Sequence, residues 1–365
     1  KVKKIDLNEL QYLTSIENLI KNKRNFYWLK RFKFALISDV QEVDKINLLI
    51  KDGFKLNKTF VLNESDESLN KIFPQINKIN APVFKLNHLN FDFNQFKDVD
   101  GIILNIKNNG FRNDLSLDVL FKVMQVAVQY DKKLIVLDQP NPLSRFIDGP
   151  GDIPLQHALT VAELAEYFNN YVLQKKVKLT IIPMIGWQRK NEDLDVSQLY
   201  KESLLSILNQ IEPINSKINE DLGLESVLLP KGCLSDWEND FLKKILFRLG
   251  FYCTDYSYYD KESKKNLVGV KIDAQKEMKS FSTFNSMLTL ARFFKNRKNI
   301  KLGYSDSFDK MLGSSDTKEF LNNKISFKEL KNNTQRSVNN FYYKSKRVLL
   351  YKPCPLRNDV KIIKS

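Results

Sequence analysis

Residues 133–164 read KLIVLDQPNPLSRFIDGPGDIPLQHALTVAEL and contain, in order, a strand, a loop and a helix start. KLIVLD is an apolar run of strand length that closes on Asp138. The loop after it carries Pro140, Pro142, Gly149, Pro150, Gly151 and Pro154, residues that interrupt regular structure. Thr160 and Glu163 then form a T-x-x-E capping box ahead of Leu164, Ala165 and Phe168, so a helix should begin there. Strand, loop and capped helix make half of a parallel βα unit. In an open sheet of such units, ligands bind beyond the carboxyl ends of the strands. Asp138 would stand at such an end, and the first amides of the capped helix would point toward the same loop.

Working outward, short apolar runs recur at FALIS (34–38), TFVLN (59–63), VFKL (83–86), GIILNI (101–106) and LTIIPM (179–184). Nearly all-apolar runs separated by helix-period segments predict a parallel sheet covered on both faces. Leu117 to Tyr130 is the clearest connecting helix, with Leu120, Val123, Met124 and Ala127 on one face. Residues 8–30 also read as a helix, striped by Leu10, Leu13, Ile16, Leu19 and Ile20. Beyond Trp187 the pattern changes, and the chain to about residue 235 is polar and short of strong strands. A helix over Trp237 to Leu249, a strand LVGVKI (267–272), a helix over Phe281 to Phe294 and a helix-rich tail to RVLLY (347–351) follow. The expected fold is α/β. It comprises a Rossmann-like doubly wound parallel sheet over residues 1–190 and a smaller α+β domain with a helical tail over 191–365.

With 365 residues, 42% of them hydrophobic, the chain can bury a sizeable core. It has no run of about 18 apolar residues, so no transmembrane segment is expected. The opening KVKKIDLNEL shows no signal-peptide core, although a leader removed ahead of Lys1 would leave the same start, and the address stays open. Cys233, Cys253 and Cys354 are well separated and lack CxxC spacing, which reads as ordinary thiols; a Cys233 to Cys253 bridge is left undecided. The net charge of +15, with pI near 9.4, favours polyanionic partners. The lysines are scattered, however, and no aromatic-basic recognition motif accompanies them, so no specific nucleic-acid partner is expected.

The polar candidates are the residues that close the strands. Asp39 follows FALIS, Glu64 follows TFVLN, Asn105 and Lys107 close GIILNI, Asp138 closes KLIVLD, and Trp187 with Arg189 follows LTIIPM. His157 lies in the loop before the capped helix, and His88 lacks partners at ligand spacing. Each has a plain structural alternative: Asp138 as a turn cap, His157 as a satisfied core histidine, Glu64 as part of the solvated NESDES loop, Trp187 as packing. The sequence holds no GxGxxG after a strand, GxxxxGK[ST], GxSxG or HExxH. Neither a cofactor nor a metal is expected. A polar cleft with carboxylates remains, consistent with glycoside hydrolysis or with simple binding.

LIVLDQPNPL, DGP, IPLQHALTVAELA and LTIIPMIGWQR together resemble the signature of the NamZ-type exo-β-N-acetylmuramidases, a family long catalogued as a domain of unknown function. That pattern runs roughly VLDRPNP, EGP, HGMTxGELA and VxPMxGWxR. FALISDVQEVD resembles the family's first strand and turn, and SFDKMLGSSDTKEFL resembles its FDxLxGTDxxRxxL segment. The resemblance implies a Rossmann-like domain with a smaller C-terminal domain. It also implies release of terminal N-acetylmuramic acid from peptidoglycan fragments or related anionic wall glycans, in a bacterial envelope setting, periplasmic or surface-anchored. Where the family reads GPEHG this chain reads LNESD, with Glu64 on the glutamate; where it reads DIQDxGxRFYTY this chain reads NIKNNGFRNDLS. Gly110 and Arg112 match, Asn105 replaces the aspartate, and Asp114 and Ser116 stand at tyrosine positions. The resemblance casts Glu64 as general acid or base with Arg112, Asp138, Asn141 and His157 orienting substrate, and the strand ends add Asp39 and Trp187 as substrate-binding candidates. The alternatives are a catalytically inactive member that acts as a peptidoglycan-binding or structural envelope protein and, in third place, an unrelated polyanion-binding protein.

Overall fold

The computed structural model describes residues 12–39, 43–62, 82–86, 91–189, 196–212, 214–219, 225–229, 234–260, 264–275, 281–297 and 300–362. The chain divides into two compact units. One is formed by residues 1–144, 158–189 and 344–354, the other by 145–157, 190–343 and 355–365.

The first unit is built on six parallel strands: β1 (Lys33–Asp39), β2 (Lys55–Leu62), β3 (Val83–Leu86), β4 (Gly101–Asn105), β5 (Lys133–Leu137) and β6 (Lys178–Ile182). Their order across the sheet is β3-β2-β1-β4-β5-β6. Each of the six apolar runs from FALIS to LTIIPM contributes a strand of this sheet, and the fold is α/β as expected. The order is that of a doubly wound dinucleotide-type sheet, whose direction of winding reverses between β1 and β4. Phe34 to Ser38 of β1 and all five residues of β4 are buried, as a parallel strand covered on both faces requires.

Two helices fix the rim. Helix α3 (Leu115–Gln129) follows β4 and buries Leu117, Val119, Leu120, Val123, Met124, Val126 and Ala127; α4 (Val161–Tyr171) follows the β5 loop and starts in the expected Thr160/Glu163 capping box. The N-terminal segment departs from its reading as one long helix. Leu13 pairs with Ile185 in an antiparallel bridge, and Thr14 forms a capping box with Glu17, so α1 is only Ser15–Lys21. A four-residue helix and a 3-10 turn then carry the chain to Arg31, and α2 (Val43–Lys51) precedes β2. The apolar stripe still decides the packing. Ile16 and Leu19 are buried in the core cluster with Phe34, Leu36 and Ile103, each contributing about 1.5–3 kcal/mol relative to an exposed side chain.

The second unit contains an antiparallel sheet of β7 (Asn215–Asn219), β8 (Glu225–Leu229), β9 (Phe251–Asp260) and β10 (Lys265–Ala274), in the order β9-β10-β8-β7. Helices α5 (Ser197–Leu208), α6 (Asp236–Arg248), α7 (Thr283–Lys295) and α8 (Phe327–Ser345) accompany it. Among the described residues, the stretch before residue 235 thus holds a helix and three strands, the shortest of them Ile211–Glu212, despite its polarity. β9 pairs with β10 along its whole length, giving FYCTDYSYYD the cross-strand partners that stabilise such a ribbon. Among the described residues, no helix is long and apolar enough to cross a membrane.

Candidate functional site at the carboxyl rim of the parallel sheet

The winding reverses where β1 and β4 end side by side, Ser38 in register with Asn105. Asn105 is buried and uses both ends of its amide: Nδ2 donates to Ser38 Oγ at 3.1 Å, and Oδ1 accepts from Gln139 Nε2 at 2.7 Å. Three strand ends are thereby tied through one side-chain chain. Asp39, half-buried one residue further along β1, accepts the Lys107 amide on Oδ2 at 2.5 Å. Its carboxylate is therefore fixed at the reversal point, the place where sheets of this topology take ligands.

The segment after β4 is held by its own Asx side chains. Asn108 Oδ1 accepts from Gly110 N, Asn109 Oδ1 from Phe111 N, and Asp114 from Asn109 N and, as the N-cap of α3, from Ser116 N. Asp114, standing where the tyrosine was expected, starts the helix, and Ser116 is buried in its first turn. Gly110 has φ +90, and a Cβ there would come within 2.6 Å of Asn141 Oδ1 and 2.7 Å of Leu143 Cβ. A side chain at that position would be strained and crowded at once. Arg112 lies half-buried in this segment, and burial lowers its pKa more than the nearby Asp118 raises it.

The β5 loop is occupied internally. Asp138 is fully buried and accepts four hydrogen bonds: Gln139 N (3.0 Å) and Ala162 N (3.0 Å) on Oδ1, Thr160 Oγ1 (2.9 Å) and Tyr351 Oη (2.7 Å) on Oδ2. Burial pushes its carboxyl up to about 7, with Glu163 adding to the rise, while those donors pull the other way. Asn141 is also buried, donating to Leu159 O and accepting from Leu143 N. Glu163 forms a buried ion pair with Arg189, and it accepts from Thr160 N and Leu350 N as well. Arg189 reaches further, to Ala158 O and Tyr351 O. Trp187, half-buried, packs edge-on against Tyr351 with centroids 4.8 Å apart. The DQPNP, T-x-x-E and GWQR stretches therefore converge on Tyr351 and on one another.

The structure places Asp39 and Arg112 on the strand-end segments, neither fully buried, and packs Asp138, Asn141 and Trp187 into the loop framework. His157 is fully buried in the second unit, next to Gln156, which pairs with Asp148 through its backbone and donates to Phe146 O. Glu64 and His88 lie outside the described residues. Sequence reasoning missed Tyr351, Ser38 and Gln139. Ser38 sat unnoticed inside an apolar strand, and Tyr351 carried no local signal at all. Among the described residues, no group of three or more His, Cys, Asp or Glu side chains could hold a metal.

Two family models match the chain: the N-terminal part of the exo-β-N-acetylmuramidase NamZ over residues 46–203 and its C-terminal part over residues 238–351. The chain belongs to the NamZ exo-β-N-acetylmuramidase family. In sequence it is similar to the peptidoglycan β-N-acetylmuramidase NamZ of Bacillus subtilis (strain 168), with 31% identity over 116 residues. That alignment spans 28% of this chain and 28% of the relative. The fold is shared with two crystal structures of DUF1343 family proteins from Bacteroides fragilis NCTC 9343. One covers 94% of this chain and 100% of its own at a TM-score of 0.71 and 18% identity. The other covers 93% and 99% at 0.68 and 17%. Within the NamZ family frame, the matched N-terminal part includes β2 to β6, and with them the whole β5 loop framework up to Arg189.

Proposed function

We propose that the chain acts on terminal N-acetylmuramic acid of peptidoglycan fragments at the carboxyl rim of its parallel sheet, and that it works at the bacterial cell envelope. Family membership supports the substrate class, and the winding reversal between β1 and β4 supports the place. The observation that carries the reading is Asp39, a carboxylate fixed at that reversal by the Lys107 amide. Glycosidic cleavage needs a proton donor for the leaving oxygen and a second carboxylate that supports the oxocarbenium-like centre or delivers water. Glu64, two residues past the end of β2 at Leu62, is assigned as general acid or base, and Asp39 as its partner. Arg112, still a cation although burial lowers its pKa, is assigned to the carboxylate of the muramic acid substituent. Asp138, Asn141 and Trp187 hold the rim in shape and leave the sugar contacts to the strand ends.

A second reading, binding without cleavage, is favoured by Asn105. An amide locked between Ser38 and Gln139 can orient a ligand or a neighbour but cannot exchange protons as a carboxyl would. Hydrolysis of a chromogenic N-acetylmuramide separates the two readings. Turnover by the wild type that is lost in Glu64→Gln and in Asp39→Asn supports the enzyme. Saturable binding of N-acetylmuramic acid with no turnover at any pH tested establishes the binding protein instead.

A further inference from the structure

The second unit has a concave site of about 760 Å³ between the last turn of α7 and the first turn of α8. Three cations line it, Arg292, Lys295 and Lys324, along with Asn323, Ser326 and Phe320. No acidic side chain lines it among the described residues. Arg292 and Lys295 are one helical turn apart, and Lys295 is held below the usual lysine range, first by burial and then by the charge of Arg292. Basic residues in a last helical turn ordinarily answer the negative helix end, which would account for two of the three. Lys324 lies outside that helix, on the turn leading into α8, and brings a third positive charge to the same concavity. Ser326 caps the far side, accepting Glu329 N on Oγ at 3.1 Å, so the positive end of a 19-residue helix opens on the cavity as well.

Such a field, with no counter-charge in the wall, fits a dianion better than a monoanion, because a phosphate monoester carries about −1.5 to −2 charges at neutral pH and offers three acceptor oxygens. The volume is many times that of an inorganic phosphate, and the remaining wall has the chemistry of a sugar site. Asn323 and Ser326 supply amide and hydroxyl groups, and the rings of Phe320 and Phe327 meet at 5.8 Å to form an apolar side. Lys295 is steadied there by Asn323 Oδ1 and lies 5.9 Å above the Phe320 ring, so its ammonium is positioned before any ligand arrives. We propose that this cavity binds a phosphorylated carbohydrate, its phosphate between Arg292, Lys295 and Lys324 and its sugar against Phe320 and Asn323. The phosphate part rests on the cavity alone, and the sugar part rests also on the function proposed above.

Calorimetric titration of the whole chain with N-acetylglucosamine 1-phosphate, inorganic phosphate and N-acetylglucosamine tests this. The sugar phosphate should bind, inorganic phosphate should bind at least about tenfold more weakly, and the neutral sugar should not bind measurably. Arg292→Gln with Lys324→Gln should weaken the sugar phosphate by about tenfold or more and leave the melting temperature unchanged, since both side chains are exposed. Asp39→Asn should bind it as the wild type does, which keeps this outcome separate from the fate of the muramidase reading. Unchanged affinity in the double variant, or equal binding of the neutral sugar, overturns the site. Equal binding of inorganic phosphate and sugar phosphate overturns its carbohydrate part. Should the double variant not fold, Lys324→Gln alone, on the exposed turn, carries the same comparison.

Discussion

The Tyr351 hydroxyl donates to Asp138 Oδ2 at 2.7 Å, joining residues 213 positions apart, and the same oxygen accepts the Met184 amide at 2.9 Å. One phenol thus ties the end of β5, the segment after β6 and the C-terminal return of the chain into one hydrogen-bonded unit. Tyr351→Phe keeps the ring against Trp187 and removes only the hydroxyl. It leaves the buried Met184 amide without its acceptor and Asp138 with three donors in place of four, which should cost about 1–3 kcal/mol in urea unfolding. A loss below about 0.5 kcal/mol would show that the phenol contributes no more than an ordinary surface group.

Arg189 and Glu163 are both essentially inaccessible, at 1% and 0% exposure, so their pairing is of the buried kind. Removing one partner strands the other charge away from water. Arg189→Met should therefore destabilise the chain by about 3–5 kcal/mol, well beyond a surface ion pair. Arg189→Lys should recover only part of that, because one ammonium cannot also reach Ala158 O and Tyr351 O. Equal stability of the Lys variant and the wild type would contradict this account.

Two buried carboxyls predict the pH dependence of stability. Burial pushes Asp138 up to about 7 and Asp148 up to about 6, from 3.8 in the unfolded chain. Asp148 keeps its place by accepting from Ser282 Oγ and Phe284 N at the start of α7. Between 3.8 and those values the folded chain binds more protons than the unfolded one. Stability should accordingly rise as pH falls from about 8 toward 5, by up to about 1.4 kcal/mol per pH unit per group, and be lost as pH climbs through the folded values. Asp148→Asn should flatten the part of the curve near pH 6. A wild-type curve that falls monotonically with acidification over this range would refute the assignment.

The fold was legible because burial writes itself into composition. Strands covered on both faces must be apolar nearly throughout, and FALIS, GIILN and KLIVL are, each but for one polar residue at its end. The capped start of α4 was legible for a local reason, Thr160 and Glu163 being three residues apart. Less visible was what the loop residues bond to. Asp138 looks the same in sequence whether it faces a sugar or accepts from Thr160 and Tyr351, and nothing near Tyr351 marks a partner so distant in the chain. β9 was passed over because its pattern is aromatic and polar, and only the hairpin with β10 makes it a strand. The N-terminal helix was read too long because its apolar stripe continues past Leu13, where Thr14 resets the backbone.

Asn105→Asp places a carboxylate at the strand end where the family pattern carries one. The geometry can receive it. Gln139 Nε2 already donates to the Oδ1 position, and Ser38 Oγ, which now accepts from Asn105 Nδ2 and lies 3.3 Å from Asp39 O, can turn its proton to the new oxygen. Burial among β1, β4 and β5 should raise the pKa of the introduced acid, the direction that suits a proton donor near neutral pH. Where Asp39 serves Glu64 only poorly as a partner, the variant should release N-acetylmuramic acid at least about tenfold faster than the wild type, within the range general acid-base catalysis supplies. The gain should disappear when Glu64→Gln is added. An unchanged rate in a variant that still binds the sugar would place the limiting deficit elsewhere than Asn105 and favour the binding-only reading.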